Sequence, residues 1–263
     1  MELFMDCLIP LWVFLEEDSW VECCSKQLPK WPLRSQCWTQ KKAALLVSLS
    51  ITIWLVASMI VPLSSNLPKV LTVEIEHVDV ETLEKLEQQG VDCQPKASTI
   101  RIIQDKYLQK VHFSEHGIPL PEFMEMDDLE GAKRAGDRFD YPLMIKSKRL
   151  AYDGRGNAVA KSEEDLTSTV TALGGFDRGL YVEKWAPFIK KLAVIVARGR
   201  DNSIVCYPVV ETIHKENICH IVKAPANVPW KIRKLATDIA SRAVSSLEGA
   251  GLFAVELFLT VDD

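Results

Sequence analysis

KSKRLAYDGRGN, residues 146–157, decides how this chain reads, because it sets Lys146 at the end of the apolar run PLMI and places two glycines a few residues later. Gly154 and Gly156 can adopt positive φ at no steric cost, which lets successive backbone N–H groups converge on phosphate oxygens. Lys146 and Arg155 add charge to such a loop, with Arg155 as its candidate catalytic cation. The same residues suit a tight hairpin with Asp153 and Gly154 in its turn, and on this segment alone both readings stay open. It is not a Walker loop, since GxxxxGK[ST] is absent, and not a dinucleotide fingerprint, since no third glycine opens a helix.

Outward from this loop the chain alternates between strand and helix patterns. Towards the N-terminus, residues 142–148 read as a strand and 127–139 as a helix. A long helix is expected from about Ser98, with Ile102, Leu108, Val111 and Phe113 among its apolar residues, ending at Gly117, Pro119 and Pro121. Before it, 80–89 reads as a helix stopped by Gly90 and 71–78 as a short strand. Towards the C-terminus, a helix over 162–173 opens on a Ser162 cap with Glu164 and Asp165 in its first turn. Strands follow at 180–185, 191–198, 203–213 and 218–223. A helix from Pro229 carries Leu235, Ile239, Ala243 and Leu247 on one stripe, and 252–260 closes the series as a strand. Runs of strands with flanking helices make the fold class α+β.

The chain has 263 residues, 48% hydrophobic and 25% charged, enough for one large domain or two ordinary ones. A net charge of −5 gives no basic field for a nucleic acid, so any phosphate site rests on local lysines and arginines. The seven cysteines form no CxxC pair and no zinc spacing, which fits free thiols in a reducing compartment. Cys219 and His220, although adjacent, lack a third ligand and read as strand residues. Composition shifts near residue 70: five of the seven tryptophans lie before it, and residues 43–63 carry no charge. That stretch is long enough to cross about 30 Å of hydrocarbon as a helix. Residues 1–70 are therefore an extension of unknown structure, read as a non-homologous segment, a single-span anchor or a buried helix.

Two further features favour the phosphate reading of the loop. Lys106 in IQDKYLQK and the acid and aromatic of LYVEKWAPF are what a nucleotide needs for phosphate charge and adenine recognition. Glu256 stands inside the apolar strand GLFAVELFL, where an unpaired carboxylate is costly, so a cation is expected beside it.

Taken in order, LTVEIEHV, IQDKYLQK, GIPLP, YPLMIKSK, AYDGRGN, LYVEKWAPF, YPVVETIHKENICH and GAGLFAVELF resemble the ATPase subunit of phosphoribosylaminoimidazole carboxylase, also called 5-(carboxyamino)imidazole ribonucleotide synthetase. The resemblance covers 71–263. It implies an ATP-grasp fold, with 71–95 as the remnant of an N-terminal dinucleotide-like domain and 96–263 as an incomplete ATP-grasp domain. It also implies ATP and magnesium as cofactors and ATP-dependent carboxylation of aminoimidazole ribonucleotide, with bicarbonate, in IMP synthesis. By position Lys106 and Lys146 resemble the basic residues that hold the ATP phosphates. Tyr152, Asp153, Gly154, Arg155, Gly156 and Asn157 resemble the mobile phosphate loop. Glu183, Lys184, Trp185 and Ala186 resemble the adenine hinge, His214 another nucleotide-site residue, and Glu256 the first magnesium ligand. As alternatives, Lys106 reads as a solvated helix lysine, Trp185 as core, and His214 as the cap of a strand end.

Three departures from the family pattern accompany these matches. The N-terminal domain that holds the ribonucleotide is expected before LTVEIEHV, yet residues 1–70 carry no Gly-rich βαβ opening. After the Glu256 strand the family continues into an Asn-Glu pair that supplies the second magnesium ligand, and this chain stops at Asp263. Eight residues after Glu183 the family places an acid for the ribose hydroxyls, whereas this sequence has Lys191, which can only donate. The resulting expectation is an ATP-binding remnant that does not turn over. Its rivals are a live ligase completed by another chain, in a homodimer or with a complementing subunit, and a membrane-tethered nucleotide-binding or interaction protein anchored through 43–63. The resemblance places the chain in the cytoplasm or an organelle stroma; the anchor reading places it at a membrane.

Overall fold

The computed structural model describes residues 1–10, 70–73, 76, 78–149, 156–215 and 218–260. These form two antiparallel sheets with helices packed against them. The larger sheet is built from β1 (Leu3–Pro10), β6 (Phe188–Arg198), β7 (Ile204–Cys206), β8 (Val210–Lys215), β9 (Ile218–Lys223) and β10 (Gly251–Thr260). Its order is β1-β10-β6-β8-β9, with β7 also paired to β6. The smaller sheet runs β2-β5-β3-β4 from β2 (Phe123–Met126), β3 (Leu143–Ser147), β4 (Asn157–Ala160) and β5 (Leu180–Lys184).

Period-two alternation decides what each face carries. On β10, Phe253, Val255, Leu257 and Leu259 enter the main core together with Leu192, Val194 and Val196 of β6. Ile232, Ala236, Ile239, Ala240, Ala243 and Val244 of helix α6 (Trp230–Ser245) join the same core. Glu256 and Phe258 alternate with these core residues, as does Lys191 on β6. In the smaller sheet Leu143, Ile145, Leu180 and Val182 share a core with α4 (Leu129–Phe139) and α5 (Leu166–Ala172). The intervening Lys146 and Glu183 belong to the opposite face, in neighbouring strands whose register sets Lys146 beside Tyr181 and Met144 beside Glu183.

Residues 3–10, which the sequence leaves without assigned structure, form an edge strand of the larger sheet. β1 pairs with β10 from Leu3↔Leu259 to Pro10↔Phe253, with a register shift between Met5 and Cys7. That shift is a bulge: it lets both Met5 and Leu8 enter the core, although three residues apart, and leaves Asp6 outside the alternation. Met5 and Leu8 are fully buried, worth about 1.5–3 kcal/mol each. The outer edge of β1 is also partnered. Gln109 accepts from Leu8 N–H at 3.1 Å and donates to Leu8 C=O at 2.9 Å, while Met5 N–H donates to Pro119 C=O at 2.8 Å.

Several expected elements are redrawn. The helix expected from Ser98 is two, α2 (Ala97–Gln104) and α3 (Lys106–Glu115), broken at Asp105. Asp105 is extended and its carboxylate accepts from Tyr107 and Leu108 N–H, so it caps α3 instead of continuing α2. The described part of 71–78 contains only an isolated bridge, Leu71 to Cys93. This segment packs with α1 (Val80–Gln88) and α2 in a small separate core. The helix expected from Ser162 starts at Leu166, because Asp165 accepts from Lys161 N–H and closes a turn. The strand expected over 203–213 is interrupted between β7 and β8 by Pro208, which cannot donate to a ladder. Leu235 is exposed and Ala236 takes its place in the α6 stripe. Cys93, Cys206 and Cys219 are free thiols. Among the described residues no helix is long and apolar enough to cross a membrane, and residues 43–63 lie outside them.

Candidate functional site

Where the inner faces of the two sheets meet α3, ionised side chains of alternating sign form a continuous chain. Lys110 Nζ lies 3.0 Å from Glu183 Oε1, and Lys146 Nζ lies 2.9 Å from Glu183 Oε2. Lys146 reaches Asp6 Oδ1 at 3.4 Å. Lys191 Nζ then joins Asp6 Oδ2 at 3.2 Å to Glu256 Oε2 at 2.9 Å. The Lys110 contact is an ion pair outside hydrogen-bond geometry, since Glu183 Oε1 has no hydrogen-bond partner. Strand alternation brings four of the six there, and a bulge in the pairing with β10 brings Asp6. Lys146 and Glu183 are the non-core positions of β3 and β5, Lys191 and Glu256 those of β6 and β10, and Asp6 is turned inward by its bulge.

Burial makes this chain energetically demanding, because charges removed from water must be paired. The side chains of Lys110 and Glu183 are each only 3% exposed. For Asp6, burial opposes ionisation, yet the ammonium groups of Lys146, Lys191 and Lys110 outweigh it and hold the carboxyl well below its ordinary range. Glu183 behaves alike: burial raises its pKa, Lys110 and Lys146 lower it further than that, and the net shift is downward although Asp6 opposes it. His214 on β8 is held neutral to lower pH by burial first and by the Lys191 ammonium second, against Glu256 and Asp6.

Lys106 stands one turn before Lys110 on α3, so both lie on one face of the helix. Its Nζ is buried and makes no hydrogen bond among the described residues. Beside Lys191, Phe258 and Phe188 stack with centroids 4.4 Å apart, and Lys191 Nζ sits 5.5 Å from the Phe258 ring centre. Among the described residues no three acidic, histidine or cysteine side chains converge as a metal cluster.

An ATP-grasp domain model matches residues 111–263. The chain belongs to the ATP-grasp family. Phosphoribosylaminoimidazole carboxylase, chloroplastic, of Vigna aconitifolia is 73% identical over 191 residues, which are 73% of this chain and 34% of that protein. The chain thus spans about a third of the length of this curated relative. A crystal structure of carboxyaminoimidazole ribonucleotide synthase from Aspergillus clavatus, complexed with ATP, superposes with a TM-score of 0.70 at 43% identity. It covers 74% of this chain and 51% of that one. A second structure from the same organism, with ADP and 5-aminoimidazole ribonucleotide, gives 0.68 at 41%, covering 74% and 50%.

In this ATP-grasp chain the structure brings Lys146, Glu183 and Glu256 into one network and sets His214 in the field of Lys191, Glu256 and Asp6. Lys106 is not a solvated helix lysine, because its Nζ is buried. Gly156 has φ +80° and its carbonyl accepts from Ser147 N–H at 2.7 Å; Asn157 opens β4 opposite Lys146. β3 and β4 do form a hairpin, but its connection is far longer than a two-residue turn. Tyr152, Asp153, Gly154 and Arg155 lie outside the described residues. The hinge divides. Glu183 turns its carboxylate to Lys110 and Lys146, which places the acid of the expected adenine hinge within the lysine network. Lys184 is half-exposed and pairs with Glu122 at 3.0 Å. Trp185 is 37% exposed and is not core, and Ala186 C=O accepts from Phe188 N–H at 2.9 Å. His214 lies within β8, next to a register shift after Ile213, and does not cap the strand end.

Sequence reasoning missed Lys110 and Asp6. Lys110 had a signal, its i,i+4 spacing from Lys106. Asp6 had none, because only strand pairing brings it to the site.

Proposed function

We propose that this chain is a nucleotide-gripping ATP-grasp core of the carboxyaminoimidazole ribonucleotide synthase type, which binds ATP at the junction of its two sheets. The observation that carries the reading is the alternating charge chain, with Lys146 at a strand end beside the Gly156 turn and the buried Lys106 Nζ without a hydrogen bond among the described residues. Phosphoryl transfer requires the charge on the β- and γ-oxygens to be neutralised by fixed groups. Lys146 and Lys106 supply that charge, Glu183 orients Lys146, and the exposed Trp185 with Ala186 lines the adenine side. Glu256 offers the hard carboxylate oxygens that suit magnesium, and bound there the ion would neutralise phosphate oxygens as a Lewis acid.

ATP-dependent carboxylation of aminoimidazole ribonucleotide in purine synthesis is the activity to which the core belongs in this reading, with bicarbonate as carboxyl source. The chloroplast named for the Vigna aconitifolia relative supports an organelle stroma as its compartment. Calorimetry of the whole chain with magnesium and ATP tests the grip. Lys146→Ala is expected to abolish binding while far-UV circular dichroism stays unchanged. Equal ATP affinity in the two proteins would remove the phosphate role from Lys146.

A further inference from the structure

β1 does more than complete a sheet edge, because its bulge sends an acid among lysines. Asp6 divides its two oxygens between ammonium groups of different sheets, Oδ1 to Lys146 and Oδ2 to Lys191. Two oxygens from one anionic centre reaching two cations is also how a phosphate group would use this pair. Among the described residues, Glu183 serves Lys110 and Lys146, and Glu256 serves Lys191. Asp6 is thus the acid that ties the two halves of the network together. The strand that delivers it lies at the sheet edge, hydrogen-bonded to one neighbouring strand and clipped on its outer side by Gln109 and the Pro119 carbonyl.

We propose that Lys146 and Lys191 form a polyphosphate seat whose occupant in the free chain is the Asp6 carboxylate, so that β1 competes with the phosphates for their own lysines. The proposal deepens the nucleotide reading and rests on it for Lys146. It also gives Lys191 a role: a lysine that can only donate suits an anion seat and does not suit ribose hydroxyls in need of an acceptor. Binding requires Asp6 to leave or be outcompeted, and removing its charge makes the seat available. Asparagine keeps the size of the side chain and one acceptor oxygen while losing the charge, so it perturbs the seat more than the fold.

The test is isothermal titration of the full chain and of Asp6→Asn with inorganic tripolyphosphate, without metal and at low ionic strength, with circular dichroism to check folding. Asp6→Asn is expected to bind at least tenfold more tightly. Equal or weaker binding, or none by either protein, overturns the proposal. Gln109→Ala removes the clip on Leu8 without touching a charge, and it is expected to tighten binding in the same direction by a smaller factor. Should Asp6→Asn fail to fold, unchanged affinity in Gln109→Ala overturns the proposal. Parallel titration with ATP separates this inference from the function it rests on. If tripolyphosphate gains and ATP binds no better than tripolyphosphate, the seat stands and the nucleotide reading falls. If Asp6→Asn instead loses affinity for ATP with magnesium, Asp6 is a metal ligand and the competitor reading is wrong.

Discussion

Glu183→Gln removes the negative charge from the centre of the ion-pair chain and should be among the most damaging single-atom changes in the molecule. Each lysine contact near 3 Å is worth about 5 kcal/mol at an effective dielectric of about 20, before desolvation is subtracted. Two such contacts converge on Glu183, from Lys110 at 3.0 Å and Lys146 at 2.9 Å, and its side chain is 3% exposed. Desolvation and repulsion from Asp6 cancel much of the gross sum. Removing one partner of a buried pair costs about 3–5 kcal/mol, because it strands an uncompensated charge. The lower end applies here, since Lys146 keeps Asp6 and glutamine keeps an acceptor oxygen. A loss of about 3 kcal/mol is a large share of the roughly 5–15 kcal/mol that ordinary domains possess. Urea unfolding at pH 7 followed by far-UV circular dichroism measures it. Lys110→Met in the same chain removes the stranded ammonium, so the double variant should be less destabilised than the sum of the two single ones. A loss below about 1 kcal/mol for Glu183→Gln, or simple additivity in the double variant, would show that these charges are solvated and that the network does not hold the sheets' inner faces.

Lys191→Glu, which would restore the acid expected by resemblance, is predicted to lower the melting temperature, because it gathers a third carboxylate beside Asp6 and Glu256 where an ammonium now pairs both. Millimolar magnesium should recover part of that loss and sodium chloride of equal ionic strength should not; a melting temperature at or above that of the parent without metal would contradict it. Acid should destabilise the chain through Asp6 and Glu183, whose pKa values in the fold lie below their ordinary ones. Such groups add stability that is complete above their unfolded pKa of about 4 and is lost as pH falls from there towards the folded values. Melting temperature scanned from pH 6 to pH 2 should therefore drop mainly below about pH 4, and less steeply in Asp6→Asn; parallel profiles for the two proteins would count against the pairing.

Much of the site was legible in the chain because it obeys local periodicity. Glu256 stands out as a lone acid in an apolar strand, so a cation beside it was expected, and the alternation of β10 and β6 supplies Lys191. Lys106 and Lys146 were singled out differently, as charge near paired glycines and by their positions in motifs that resemble the family. The order of eight motifs carried the family, which the match over 111–263 bears out. Local pattern failed where a polar side chain had two uses. Asp105 could continue a helix or cap one, and only the backbone turn at that point selects the cap. The pairing of Glu183 could not be read locally either, because Lys110 and Lys146 reach it from two different elements.

What the sequence by itself determined, then, is the α+β class and most of the strands and helices with their buried faces, since these follow from spacing within ten or so residues, while the family followed from the order of its motifs. Only the tertiary structure decided that residues 3–10 join the edge of the larger sheet and that Asp6 stands between Lys146 and Lys191. The physical reason is that a strand's own pattern states which face is apolar but not which distant edge will accept its hydrogen bonds. That choice belongs to β10 and to Gln109, more than a hundred residues away from the acid they position.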